Sequence, residues 1–162
     1  MLRISRADVD TFGTCDYVSG CFADNSEHTY CYTASVAGAG FQTAAGNSMS
    51  NLANQTVFTK NFMSCSGNTD VVFKRIDGIP NVIAQYECQE ELSGNRCGRA
   101  SVTFDGDNLA TQSAAVKQHS ACHEVGHSGG LAHGGTTDCM RSGYHTNIHY
   151  NAHHVSHLNS QF

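Results

Sequence analysis

The chain has 162 residues, a formal net charge of −5 and only nine Lys and Arg, which are scattered along it. This length indicates one domain with its own hydrophobic core, and the lack of a basic run disfavours a nucleic-acid partner. No apolar run approaches the length of a membrane span, so we expect no membrane contact.

Eight cysteines are a high and even number for a chain of this length. Such a count is typical of a disulfide framework formed in an oxidising compartment. The opening residues MLRISR carry no hydrophobic signal segment. We therefore expect a secreted, monomeric protein whose signal peptide and any pro-segment are not present in this chain.

The first half of the chain shows alternating and then helical patterns. Residues 1–28 have weak periodicity and predict an irregular segment with at most a short strand. Thr29 to Val36 alternates and predicts a half-buried strand. After a turn at residues 37–40, apolar residues from Phe41 to Leu52 recur at helical spacing and predict a helix.

The second half begins with predicted strands at residues 70–76 and 82–88. Residues 90–99 are polar and predict a loop, which Cys88 and Cys97 could close with a disulfide. Residues 100–105 alternate again and predict a further strand.

Two helices are predicted after this strand. Thr111 or Ser113 can cap a helix that ends near Ser128. Apolar residues at helical spacing from Asn147 to Leu158 predict a C-terminal helix that packs under the first.

The predicted capped helix carries the motif H-E-x-x-H-x-x-G-x-x-H, which runs from His123 to His133. His123 and His127 are one helical turn apart on one face, so both imidazoles can reach one metal ion. Gly129 and Gly130 can end the helix and let the chain bring His133 to the same ion. Three protein ligands with an open fourth position are typical of a catalytic zinc ion.

Glu124 lies beside the first ligand but outside the row of histidines. A carboxylate in this position is suited to act as a general base on a water molecule at the metal rather than to bind the metal. The sequence thus predicts one zinc ion held by His123, His127 and His133, with Glu124 as the catalytic group.

This motif resembles that of the metzincin zinc endopeptidases, and the resemblance covers Ala114 to Leu158 best. The stretch Asp138–Gly143 is similar to the second hallmark of that family, a tight turn that places a methionine, here Met140, beneath the metal. The small size is similar to that of the snapalysin-like secreted peptidases. Those usually carry aspartate as the third ligand, where this chain has His133.

The resemblance implies an α+β fold in a single zinc metallopeptidase domain over residues 1–162. Its parts would be a twisted, small, mostly parallel sheet, an active-site helix, the methionine turn and a C-terminal helix. Residues 1–130, approximately, would form the upper part of the domain, and residues 131–162 the lower part.

The resemblance also implies roles for single residues in hydrolysing the peptide bonds of a protein or peptide substrate. Glu124 would take a proton from water and pass it to the leaving amine. Tyr144 is a candidate for binding the metal or stabilising the transition state; the alternative is a surface or pocket-wall position. Val82 to Glu87 would form either the cleft-edge strand that pairs with substrate or an ordinary sheet edge. Cys122 and Cys139 flank elements that would meet at the metal, which predicts a disulfide between them.

A second hypothesis is a non-catalytic, disulfide-rich secreted protein that binds zinc, because nine of the ten histidines lie between positions 119 and 157. Two rows at four-residue steps offer rival ligands: His119, His123 and His127, and His149, His153 and His157. Only the motif histidines combine an adjacent carboxylate with a glycine break. We therefore expect His119→Ala, or the triple change at 149, 153 and 157, to leave one zinc per chain and near-normal turnover.

Overall fold

The computed structural model describes residues 21–134 and 137–162. Most of the irregular segment predicted for residues 1–28 therefore lies outside the described residues. Within them, six strands form one sheet and four α-helices accompany it. This confirms a mixed α and β architecture with a mostly parallel sheet.

The elements have the following bounds. The strands are β1 (Phe22–Ala23), β2 (Glu27–Tyr32), β3 (Thr59–Phe62), β4 (Val71–Ile76), β5 (Ala84–Leu92) and β6 (Arg96–Asp105). The helices are α1 (Phe41–Gln55), α2 (Gly106–Leu109), α3 (Ala114–Ser128) and α4 (Ala152–Asn159), and a 3-10 turn spans Ala34–Val36.

The sheet has the order β1-β6-β4-β2-β3, and β5 pairs with β6. Ala100 of β6 is paired with Val71 of β4 and also with Cys88 of β5, so β4 and β5 flank β6 on opposite sides. Strand β5 thus forms an outer edge, and its pairing is antiparallel whereas the other pairings among the described strands are parallel.

The core lies between the sheet and the helix pair α1 and α3. Phe41 of α1 stacks on Phe104 of β6 with ring centroids 5.4 Å apart, and Phe104 stacks on Phe73 of β4 at 6.1 Å. All three rings are fully buried. Burial of this apolar surface is the main force that holds α1 against the sheet.

The predicted helix from Phe41 and the predicted strand at 70–76 are confirmed as α1 and β4, but two other predictions were wrong. The strand predicted for 29–36 ends at Tyr32, where the chain enters the 3-10 turn. The polar stretch 90–99 is not a loop but contains the turn and the adjoining strand ends of a β-hairpin. Gly94 and Asn95 take positive φ values of 74° and 57° and turn β5 back onto β6.

The C-terminal helix is shorter than predicted. It begins at Ala152 because the side chain of Asn151 accepts a hydrogen bond from the N–H of His154 and caps the helix there. Ile148 and His149 precede the helix, so His149 does not continue a helical row with His153 and His157. Helix α3 agrees with its prediction, and of the two suggested caps it uses Ser113, whose hydroxyl accepts from the N–H of Val116.

Three disulfides connect described cysteines: Cys31–Cys65, Cys88–Cys97 and Cys122–Cys139. The second and third are the pairings expected from the sequence. Cys21 is also disulfide-bonded, so no described cysteine is a free thiol. A disulfide framework of this kind fits an oxidising compartment. None of the described helices is long and apolar enough to cross a membrane.

Candidate metal centre

The end of α3 brings three histidines together. His123 and His127 lie on successive turns of the helix, which ends at Ser128. Gly130 follows with a φ of 104°, and a Cβ atom there would lie 3.2 Å from the Cα atom of Phe22. Glycine therefore suits both the backbone conformation and the close approach. The chain turns back at this point and carries His133 to the same place.

The three rings form a nearly equilateral triangle. The ring centroids of His123 and His127 are 4.7 Å apart, and that of His133 is 4.9 Å from each of them. One ligand nitrogen from each ring lies within 4.8 Å of the other two. His123 and His127 are buried, whereas His133 is exposed at the mouth of the site.

Backbone carbonyls orient two of the rings. Nδ1 of His123 lies 2.9 Å from the carbonyl oxygen of Cys139, and Nδ1 of His127 lies 2.7 Å from that of Leu131. A carbonyl only accepts, so each Nδ1 donates. Burial holds the pKa of His127 at about 3 and that of His123 well below its usual range, with the neighbouring histidines adding to both effects.

Neutral rings that donate from Nδ1 have bare Nε2 atoms, and these two atoms lie 3.2 Å apart. Two lone pairs at this distance repel each other unless a cation lies between them. Ligand nitrogens bound at about 2.0–2.1 Å to one tetrahedral zinc ion are separated by roughly 3.3 Å. The donor set and its spacing thus fit a zinc ion, and these three residues could hold one.

Glu124 lies next to this triangle and is buried. Burial raises the pKa of its carboxyl to about 8, and a hydrogen bond from the backbone N–H of Tyr86 partly opposes this effect. A group with a pKa near neutrality can both accept and release a proton under ordinary conditions. The sequence did not predict the contribution of Tyr86, whose ring also lies 6.1 Å from that of His127.

Met140 packs directly beneath α3. Its side chain is fully buried, and a Cβ atom added to Gly126 would lie 2.2 Å from its sulfur. The carbonyl of Met140 also accepts a hydrogen bond from the N–H of Gly134, 3.0 Å away, which ties the turn to the segment that carries His133. The Cys122–Cys139 disulfide adds a covalent link between α3 and the same turn.

Asp138 anchors this turn to α4. Its carboxylate accepts from the backbone N–H groups of Met140 at 3.0 Å and Asn151 at 3.1 Å, and it contacts Nδ1 of His154. Both side chains of the Asp138–His154 pair are buried. Burial alone would raise the pKa of Asp138, but the hydrogen bonds from His154, Asn151 and Met140 outweigh burial and hold the pKa below its usual value.

A cleft of about 350 Å³ opens over the three histidines and Glu124. The start of β5 and the residues before it, from Asn81 to Tyr86, line the cleft, and so do Ser142 and Gly143. The predicted edge strand at 82–87 therefore borders the site. Tyr144 does not line the cleft with these residues, and its side chain is exposed.

A second cluster of possible ligands consists of the sulfur atoms of Cys21, Cys88 and Cys97. All three are disulfide-bonded and have no thiolate to offer a metal. No family model matches the chain, and no curated protein matches it.

Proposed function

We propose that the chain is a secreted zinc-dependent endopeptidase of the metzincin type that hydrolyses peptide bonds in a protein or peptide substrate. The observation that carries the proposal is the position of Glu124, which is buried beside three converging imidazoles at the base of a cleft. A protein that only stores or captures zinc does not need a buried carboxyl group next to its ligands. The disulfides support the secreted assignment.

The exposed backbone edge of strand β5 is a second observation in favour of a peptide as the substrate. The carbonyl of Ile83 accepts from the N–H of Asp105 on β6. Because hydrogen-bonding direction alternates along an antiparallel strand, the backbone groups of Ala84 and Tyr86 point away from β6 and toward the cleft. The bond from the Tyr86 N–H to Glu124 agrees with this direction. An extended peptide can therefore pair with this edge, antiparallel to β5.

The chain's own residues would then carry out the chemistry as follows. His123, His127 and His133 would hold the ion, with the first two oriented by the carbonyls of Cys139 and Leu131. Bound zinc would acidify a water molecule and polarise the carbonyl of the scissile bond. Glu124 would accept the proton of the attacking water and deliver it to the amine as the C–N bond breaks.

The test is Glu124→Gln, assayed by zinc content and by cleavage of a quenched fluorescent peptide. The variant should keep one zinc per chain and lose about 10²–10⁴-fold in turnover, because general acid–base catalysis contributes that much. Glu90→Gln is the matched control, since it makes the same chemical change at an exposed site on β5 beyond the residues that border the cleft. Wild-type-like turnover in Glu124→Gln would refute the assignment of the base. One zinc per chain with no cleavage by the wild-type protein would favour the non-catalytic alternative.

A further inference from the structure

His119 lies one turn before His123 on α3 and is 1 % exposed. Its ring centroid is 6.4 Å from that of His123, and it lines the cleft without belonging to the triangle of ligands. The sequence offered His119 only as a rival ligand in a histidine row. Its contacts in the folded chain indicate a different role.

Both nitrogens of His119 meet backbone carbonyls of one loop. Nδ1 lies 2.6 Å from the oxygen of Asn147, and Nε2 lies 2.9 Å from the oxygen of Arg141. These two residues are the ends of the segment 141–147, which forms neither helix nor strand. A carbonyl only accepts, so the ring nitrogen of His119 that carries a proton is the donor to this loop. Both nitrogens thus face carbonyl oxygens of this loop, and His119 is not part of the triangle of ligands.

The segment 141–147 supplies Ser142 and Gly143 to the lining of the cleft, together with the residues that precede β5. The ring of His145 also packs edge-on against that of His119, with centroids 5.4 Å apart. One buried side chain on the ligand-bearing helix thus contacts both ends and the middle of the loop. Movement of this loop would change the width of the cleft without moving any of the three ligands.

We propose that His119 is a positioning residue that clamps the segment 141–147 against α3 and so sets the shape of the substrate cleft. The proposal rests on the proposed peptidase function for its effect on substrate, but the clamp itself is a property of the fold. It keeps the expectation of near-normal turnover in His119→Ala and adds a loss of affinity for the substrate. Zinc should be retained, because the ligands stay in place, while binding of the peptide should weaken.

The experiment compares His119→Ala and His119→Gln with the wild-type chain by amide hydrogen exchange, zinc content and peptide kinetics. Loss of the His119 contacts should speed amide exchange by about ten-fold or more at Cys139 and Arg141, whose N–H groups are hydrogen-bonded to the carbonyls of His149 and Asp138. The KM should rise by about ten-fold with kcat little changed, since the loop contacts substrate in its ground and transition states alike. His119→Gln keeps a donor of similar reach and should show a smaller effect on both quantities.

Thr146→Ala is the matched control, because Thr146 is an exposed residue of the same loop. It should leave exchange and KM unchanged. Wild-type exchange at Cys139 and Arg141 in both His119 variants would overturn the proposal, and so would loss of zinc together with kcat. If His119→Ala does not fold, the same measurements on His119→Gln test the proposal. If the wild-type chain cleaves no peptide, the exchange rates still test the clamp, so its failure is separate from that of the proposed function.

Discussion

Replacing Gly126 by alanine should destabilise the protein even though alanine is the better helix former. The added Cβ atom would lie 2.2 Å from the sulfur of Met140, whereas non-bonded heavy atoms rest at about 3.5–4.0 Å. Met140 therefore has to move by more than about 1 Å. Tyr150 lies 3.0 Å from the same Cβ position and is held by a hydrogen bond from its hydroxyl to the carbonyl of Cys122. The Met140 side chain therefore cannot move toward Tyr150.

Overpacking of this kind costs about 1–3 kcal/mol, and the helix propensity of alanine offsets about 1 kcal/mol. Because Met140 is fully buried, the upper part of that range applies and the net loss should be about 2 kcal/mol. In urea unfolding this lowers the midpoint by about 1 M without changing the slope. Gly67→Ala is the control, since nothing lies within 4 Å of its added Cβ atom. A midpoint for Gly126→Ala equal to that of the control would refute the placement of Met140 under the helix.

Two further predictions concern the ligands and the turn. His133→Ala should weaken zinc binding by more than about 100-fold, as measured by competition with a chelator. The triple alanine change at His149, His153 and His157 is the control and should keep one zinc per chain. Equal zinc affinity in the two variants would contradict the ligand set. Asp138→Asn should lower the free energy of unfolding by about 3 kcal/mol at neutral pH, because it breaks a buried pair. The folded-state pKa of Asp138 is lowered, so its contribution is present above the unfolded value of about 3.9 and is lost as pH falls through the folded value. Thermal unfolding between pH 2 and pH 6 should therefore be less pH-dependent in the variant, and an unchanged profile would argue against this role.

Local patterns predicted α1, α3 and β4 because their signals lie within a few residues. The spacing from Phe41 to Leu52 and the cap at Ser113 needed no long-range information. Strand β3 had no such signal, since it is four residues long and all of them are exposed. The hairpin at 90–99 was missed for a related reason: Glu90 and Glu91 on the exposed edge of the sheet do not alternate with apolar residues.

The same distinction between local and long-range signals applies to the residues of the candidate site. The positions of His123, His127 and Glu124 follow from helical periodicity, and the return of His133 follows from two glycines. The supporting groups depend on contacts between distant segments. Asp138 binds His154 and Asn151, and His119 reaches Asn147, which lies 28 residues away. Gly126 was the one local signal that another segment packs closely against the helix at that position.

The Cys122–Cys139 disulfide closes a covalent ring that contains all three histidines of the triangle. When an oxidised chain unfolds, these imidazoles remain within a loop that the disulfide closes between residues 17 positions apart. Their effective concentration for one another therefore stays in the millimolar range, as for groups joined by a short flexible linker. A metal ion held by them can therefore stay with the unfolded chain, and its stabilisation of the folded state is reduced by that residual affinity. Reduction of this disulfide would let the ligands lie farther apart in the unfolded chain and would tie metal binding more closely to the folded state.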